Sequence, residues 1–151
     1  MVSAVAVVLS LVFVGLEVRE SAQQTELNTQ SLQVSAYQDL IAQISAINAR
    51  SMDHPEISLL VAAASSFEDL SETEGEQVWS LLMLIARHGD MAFYQYELGM
   101  LAEARLESAL GVLNGALCYP LFSEFWSGTS HNFIANYRDF IDAKLLAQEN
   151  C

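Results

Sequence analysis

The residues of this sequence that could do acid–base chemistry are its three histidines and the carboxylates near them. His88 and Asp90 are the best-spaced pair, but side chains two residues apart on a helix point in different directions. Ser130 and His131 are adjacent, and adjacent side chains diverge, so they do not form the nucleophile and base of a hydrolase. A lone histidine on a helix is usually structural. We therefore expect no catalytic site and no enzyme activity.

The sequence also lacks the residue spacings that metal and cofactor sites need. None of the three histidines follows a glutamate by three residues, which is the pattern of di-iron helical bundles. The sequence has no HExxH turn, no paired CxxC, no glycine-rich phosphate loop and no nucleophile elbow. The acidic run from Glu68 to Glu76 lacks the regular alternation and central glycine of a calcium loop, and carboxylates there favour a helix start. We expect no metal and no cofactor.

Arg87, His88 and Tyr94 are the residues around which a ligand pocket could form, on an apolar helix predicted over Val78–Leu98. Two functions from different classes stay open. A non-catalytic protein that docks on other proteins, as an accessory subunit or scaffold, predicts an exposed apolar patch or self-association. A small-ligand sensor or enzyme predicts a cavity with convergent polar groups and a histidine with a shifted pKa. Because no catalytic motif is present, we favour the first.

Gly111 and Gly115 belong to a face of small residues on a helix predicted over Ala102–Leu117. Together with Ala104 and Ser108 they are spaced one helical turn apart. Such a face allows two backbones to approach closely. Tight packing on a neighbouring helix is the main expectation for this face, and recognition of a partner is the lesser one.

The helices that would position these residues follow from apolar periodicity and from capping residues. The spacing predicts helices over Ile57 to about Ser66, Glu72 to about Leu98, Ala102–Leu117, Leu121–Trp126 and His131 to about Gln148. The expected signals are caps at Asp53, Ser71 and Ser130, Pro55 in a first turn, a capping box of Ser71 with Glu74, and left-handed Gly99 as a stop. These elements form a helical bundle domain over residues 53–151.

A long helix is predicted before this domain, because no glycine or proline occurs from Glu17 to Met52. Apolar residues recur there at intervals of three, four and seven, which indicates an amphipathic helix. Its first half is almost wholly polar. Residues 19–52 are therefore predicted to form an amphipathic stalk that continues as the first bundle helix.

The chain starts with an apolar run from Val2 to Leu16 that contains no charge and no proline. A helix of this length covers about 24 Å, against about 30 Å for a bilayer core. Val18 extends the run if Glu17 and Arg19 direct their charged groups to the membrane interface. We expect a transmembrane signal anchor over residues 1–18. The alternatives are a cleaved signal peptide, which lacks a basic start and a good cleavage site, and a buried bundle helix.

Arg19 is the only basic side chain near this run, and it follows it. Because short loops on the cytoplasmic side are enriched in arginine and lysine, we expect a single-pass inner-membrane protein with a cytoplasmic body. The expected partners are membrane lipid, bound through the N-terminal helix, and other membrane proteins or further copies of the chain.

Composition excludes some functions. Six basic against nineteen acidic residues give a formal charge of −13, so the chain cannot present the basic face that nucleic acids require. A hydrophobic content of 52% argues against disorder.

Cys118 and Cys151 do not make a disulfide framework, and we expect Cys118 to act as a small hydrophobe with a free thiol, as in a reducing compartment.

The predicted fold class is all-α, with an N-terminal transmembrane helix running into a stalk and a small multi-helix bundle after it. Several landmarks support a family resemblance: Leu16-Glu17-Val18-Arg19-Glu20 after the apolar start, Asp53-His54-Pro55-Glu56, the aromatic segment Phe93 to Leu101, Phe125-Trp126, and Tyr137-Arg138-Asp139-Phe140. In this order the chain resembles a large group of uncharacterised bacterial proteins with one N-terminal span and a small helical body. The resemblance implies this architecture and carries no activity.

Overall fold

A computed structural model describes residues 2–147 of the chain, with side chains from Ala6 onward. Within this range the chain forms seven α-helices and two 3₁₀ turns and contains no strand. The α-helices are α1 (Val2–Asp53), α2 (Pro55–Ala63), α3 (Glu72–Glu97), α4 (Glu103–Ala109), α5 (Gly111–Leu117), α6 (Pro120–Thr129) and α7 (Ala135–Leu146), and the 3₁₀ turns are Phe67–Asp69 and Ser130–Asn132. The predicted all-α class and the helical bundle are confirmed.

The chain divides into two compact units, residues 1–35 and residues 36–151. The first unit consists of the N-terminal part of α1. Its large apolar side chains from Val7 to Val18 are all more than half exposed. The second unit, which we call the body, holds the hydrophobic core.

The predicted transmembrane helix is not found in the part of the chain that the structure describes, where no helix is long and apolar enough to cross a membrane. The side chains of residues 1–5 of the predicted span lie outside that part. Glu17, Arg19 and Glu20 follow the apolar run Val2–Leu16, which is therefore shorter than the about 20 residues that a span requires.

The body is organised around α3, which packs against α2, α4, α5 and α6. The inner face of α3 is buried, and it includes Val78, Leu82 and Ala86, none of which is accessible to solvent. Aromatic side chains of α3, α6, α7 and the turn between α6 and α7 pack together beside it. They are Phe93, Phe122, Phe125, Trp126, Phe133, Tyr137 and Phe140, with ring centroids 4.8 to 6.3 Å apart.

Both predicted ends of α3 are confirmed. At its start, the Ser71 side chain accepts a hydrogen bond from the Glu74 backbone N–H, and the Glu74 carboxylate accepts from the Ser71 N–H at 2.9 Å. This is the capping box that the sequence predicts. At its end, Gly99 has a φ of 68°, and Met100 N–H donates to the Gln95 carbonyl at 2.9 Å. This bond and the left-handed backbone of Gly99 belong to a Schellman motif, in which glycine avoids the strain of a left-handed backbone.

Two predicted helix boundaries around the body's other turns are wrong. Asp53 does not cap α2, because it is still the last residue of α1, and His54 occupies the cap position without a side-chain cap bond. The helix predicted over residues 102–117 is divided into α4 and α5 at Leu110, whose ψ of 1° departs from helical geometry. Leu110 is fully buried, and the glycines that follow it lower the helix propensity of this segment.

The C-terminal helix also begins later than predicted. Gly128 does not end α6, which continues to Thr129, and Ser130 lies in a 3₁₀ turn instead of capping a helix. Phe133 is extended and 5% exposed, and its ring lies 5.0 Å from that of Trp126. The backbone at Phe133 is extended because this ring is buried against Trp126. The helix α7 therefore starts only at Ala135. Gln148, the predicted end, lies outside the described residues.

The free thiol expected at Cys118 is wrong. Cys118 is exposed and disulfide-bonded, at the end of α5. The short apolar stretch around it places Ala116 and Leu117 in the core and leaves Cys118 on the surface. The other cysteine of the sequence, Cys151, lies outside the described residues.

Candidate functional site

One concavity of the body is a groove of about 540 Å³ bounded by α1, α3 and the residue that precedes α7. We call it the α3 groove. It is lined by Gln43, Ala46 and Ile47 of α1, by Leu84, Arg87, His88, Asp90, Met91 and Tyr94 of α3, and by Ile134. The volume is in the range of small-molecule binding sites.

The wall of the α3 groove is mainly apolar. Leu84, Met91 and Tyr94 are 42%, 43% and 51% exposed, and Ile134 is 53% exposed. On α3 the first three are separated by seven and three residues, so they lie on one stripe of the helix. The sequence predicted an apolar helix here and named Tyr94 as a pocket residue. In the structure these three side chains form an open surface.

Arg87 is held in a fixed position at this groove. One terminal nitrogen donates to the Asp90 carboxylate at 3.2 Å, and the other donates to the Asn132 carbonyl at 3.3 Å. The guanidinium also lies over the Phe133 ring, with its carbon 4.1 Å from the ring centroid, as in a cation–π contact. The contacts with Asn132 and Phe133 connect α3 to the segment before α7. A guanidinium has more N–H donors than these two acceptors occupy.

The side chain of His88 in α3 is 2% exposed and contacts two other helices, α1 and α4. Its Nε2 lies 3.0 Å from the Ala109 carbonyl of α4, and its Nδ1 lies 3.3 Å from the Gln43 side chain of α1. A carbonyl can only accept, so Nε2 carries a proton. Burial lowers the pKa of His88, which favours the neutral ring. A neutral ring protonated on Nε2 presents Nδ1 as an acceptor, and Nδ1 accepts a hydrogen bond from Gln43 when the amide is turned so that its nitrogen, in place of Oε1, faces the ring.

Tyr137 fixes α7 against α3 and so positions Ile134 at the groove. Its hydroxyl donates to the Ala86 carbonyl at 2.9 Å. Burial raises the pKa of Tyr137 far above its ordinary value, and the nearby Asp90 carboxylate acts in the same direction. The raised pKa favours the protonated hydroxyl, which is the form that donates to the Ala86 carbonyl.

The structure brings Arg87, His88 and Tyr94 together in one groove, as one of the two hypotheses requires. It places Gly111 and Gly115 elsewhere. A Cβ added at either glycine would meet no atom within 4 Å, so the tight helix packing expected for this small-residue face is wrong. The small residues are on the surface because the inner side of α4 and α5 carries their larger apolar residues. Gly115 lines a separate cleft of about 200 Å³ between α1, α2, α3 and α5.

Sequence reasoning missed Gln43 and Ile134 as members of the site. Gln43 lies between the apolar residues Ala42 and Ile44 of α1, and Ile134 lies in what the sequence predicts as helix. No local pattern marks either residue, because the α3 residues that they meet in the groove are 40 or more positions away along the chain.

The chemistry that this arrangement supports is binding. Both ring nitrogens of His88 are engaged by groups of the protein itself, so the ring is not free to transfer a proton to a ligand. Among the residues that the structure describes, no three His, Cys, Asp or Glu side chains are grouped so that they could hold a metal ion.

Comparison of the chain with protein-family models, with curated proteins and with solved structures gives no match. The family resemblance drawn from the sequence landmarks stays a prediction, and no residue role is carried over from another protein.

Proposed function

We propose that the protein is a membrane-associated, non-catalytic helical module that acts as an accessory subunit or scaffold. The observation that carries the proposal is the exposure of every large apolar side chain in one stretch of α1. They are Val7, Val8, Leu9, Leu11, Val12, Phe13, Val14, Leu16 and Val18. Moving one such side chain from water to an apolar environment gains about 1.5–3 kcal/mol. Nine together give a strong driving force for contact with lipid or with the helices of membrane proteins.

The non-catalytic part of the proposal is supported by the body. Its most buried ionisable groups, His88 and Tyr137, hold helices together through bonds to backbone carbonyls. Arg87 and Asp90 bond to each other. These contacts within the body are of the kind that a scaffold requires.

Flotation of the full chain with phospholipid vesicles tests the membrane association. We expect the wild type to rise with the vesicles. A double variant, Leu9→Glu with Phe13→Glu, places two carboxylates on the apolar stretch and should stay at the bottom of the gradient. The matched control, Leu27→Glu with Leu32→Glu, makes the same chemical change in the polar stretch, where both side chains are also exposed, and should float. Equal flotation of both double variants would contradict the proposal.

The accessory role is tested by the native mass of the protein after gentle extraction from its source membrane. We expect larger membrane proteins to co-purify in a fixed ratio. A single chain with no companion would remove the accessory role and leave the membrane association as a separate result.

A second candidate function is the binding of a small ligand, and the specific observation that favours it is the α3 groove. This groove has the volume of a ligand site and gathers Arg87, His88 and Tyr94, and the pKa of His88 is lowered there. The two candidates are compatible, because the apolar stretch of α1 and the α3 groove belong to different units of the chain.

Two features bear on the compartment of the body. Arg19 after the apolar stretch favours the cytoplasmic side. The disulfide at Cys118 favours an oxidising compartment, since cytosolic thiols are kept reduced. A covalent bond is the stronger of the two indications, so we place the body on the oxidising side of the membrane in this proposal.

A further inference from the structure

We infer that the α3 groove binds an amphiphile with a carboxylate head and an unbranched apolar tail, such as a medium-chain fatty acid, with the head on Arg87. The inference rests on the second candidate function and names its ligand class. It does not depend on membrane association, which flotation tests separately.

The tail is assigned to the apolar wall. Leu84, Met91 and Ile134 are large side chains that stand partly exposed at the groove, and Ile47, which also lines it, is buried. Covering them with a flexible hydrocarbon removes apolar surface from water on both partners, at about 25 cal/mol per Å². Methionine adapts its shape to such a chain because it is unbranched and flexible.

The head is assigned to Arg87. The Phe133 ring, the Asp90 carboxylate and the Asn132 carbonyl fix the guanidinium in place, so little further ordering is needed when a ligand binds. Its remaining N–H groups fit the two oxygens of a carboxylate. The Tyr94 side chain lines the same groove, and its hydroxyl can donate to the same head.

The charge of the whole chain would favour a cationic head instead, since the formal net charge is −13. Interactions between exposed charges are, however, largely screened beyond about 8 Å at physiological salt. At contact distance the groove offers one cation, Arg87, and one anion, Asp90, and the two are paired with each other. Arg87 keeps N–H donors beyond those that Asp90 and Asn132 occupy, and the Tyr94 hydroxyl is a further donor, so the donors left at the groove favour a carboxylate head, which competes with Asp90 for Arg87.

Because Asp90 and the ligand carboxylate compete for Arg87, we expect substitutions of Arg87 and of Asp90 to change the affinity in opposite directions. Arg87→Gln removes the cation and should weaken binding of the carboxylate at least about tenfold, as expected for loss of a charged hydrogen bond. Asp90→Asn removes the competing anion and should tighten binding about threefold or more. A purely structural role for the Arg87–Asp90 pair predicts that both variants bind more weakly.

The experiment is a titration of the purified full chain with decanoate. The readout is the ¹³C-methyl resonance of Met91, which lines the groove, with that of Met52, which is 80% exposed and does not line the groove, as internal control. We expect a saturable shift of Met91 and none of Met52. Decanol, which has the same tail and no charge, should bind at least tenfold more weakly, and decyltrimethylammonium should bind no better than decanol.

Two further variants complete the test. Arg50→Gln removes an exposed arginine away from the groove and should leave decanoate binding unchanged. Leu84→Trp fills the groove with a larger exposed side chain and should abolish binding while Arg87 stays in place, so the inference remains testable if Arg87→Gln does not fold. Absence of a saturable Met91 shift, tighter binding of the cationic amphiphile, or weaker binding by Asp90→Asn would each overturn the inference. A Met91 shift caused by phosphatidylglycerol nanodiscs without decanoate would overturn it in favour of membrane lipid.

Discussion

At the scale of single residues, the polar side chains of the body act mainly as connections between helices. His88 links α3 to α4 through the Ala109 carbonyl and to α1 through Gln43. Both bonds involve a side chain that is almost completely buried, and leaving such a group without a partner costs about 1–3 kcal/mol. The sequence predicted a structural role for a lone helical histidine, and these bonds give that role a physical form.

The lowered pKa of His88 predicts a pH dependence of stability. The folded protein keeps the ring neutral below its ordinary pKa of 6.5, whereas the unfolded chain takes up a proton there. The unfolded state therefore binds more protons just below this pH. The contribution of His88 to the free energy of unfolding is complete above about pH 6.5 and is lost as the pH falls from there towards the folded pKa.

Urea unfolding at about pH 7.5 and about pH 5.5 measures this effect. The loss of unfolding free energy between the two conditions should be larger for the wild type than for His88→Gln, which retains an amide donor and cannot titrate. His131→Gln changes an exposed histidine and should keep the wild-type loss. A loss in His88→Gln as large as that of the wild type would contradict the prediction.

At the scale of elements, the crossing of α3 with α7 and α5 depends on Gly89. The position is buried, and the hydroxyl of Tyr137 lies directly over it. A Cβ added there would collide with that hydroxyl and would lie 2.6 Å from a methyl carbon of Leu113, closer than side chains approach in folded proteins. Glycine is required here for close approach of the helices, and its backbone conformation is ordinary for a helix.

We expect Gly89→Ala to lower the free energy of unfolding by about 1–3 kcal/mol, the cost of overpacking a core. Gly128→Ala is the matched control, because Gly128 lies within α6 and an added Cβ would meet no atom within 4 Å. It should raise stability by up to about 1 kcal/mol, since alanine is the better helix former. Urea unfolding of both variants gives the comparison, and a neutral or stabilising Gly89→Ala would refute this account of the crossing.

At the scale of the whole molecule, the two units differ in the surface that they present. The N-terminal unit exposes apolar side chains, whereas the body encloses a core of large aliphatic and aromatic residues. The disulfide at Cys118 is a covalent constraint on the body that its composition did not suggest. Two cysteines in a chain of this length gave no disulfide pattern to read, and only the fold shows that Cys118 is on the surface.

The disulfide predicts how Cys118 reacts with thiol reagents. In the purified protein, iodoacetamide should modify Cys118 only after reduction, as peptide mass spectrometry would detect. In intact cells, an impermeant reductant followed by an impermeant maleimide should label the wild type and leave Cys118→Ser with less label. Modification of the purified, unreduced protein would contradict the disulfide. Labelling that requires cell lysis would contradict a body on the oxidising side.

The sequence by itself determined the class and most of the elements of this protein. Local signals placed the capping box of Ser71 and Glu74, the left-handed stop at Gly99 and the length of α3, because backbone bonds at helix ends depend on residues within a few positions. The sequence also indicated that Arg87, His88 and Tyr94 could surround a pocket, since polar side chains on an apolar helix need partners.

Only the tertiary structure decided which of these residues meet and which apolar faces are covered. The break at Leu110, the extended Phe133 and the position of Ile134 at the α3 groove follow from contacts between residues far apart in the chain. The same holds for Gly89, whose role is visible only once Tyr137 lies across it. Periodicity marks the apolar side of a helix, but it does not tell whether that side meets another helix or stays open as a groove.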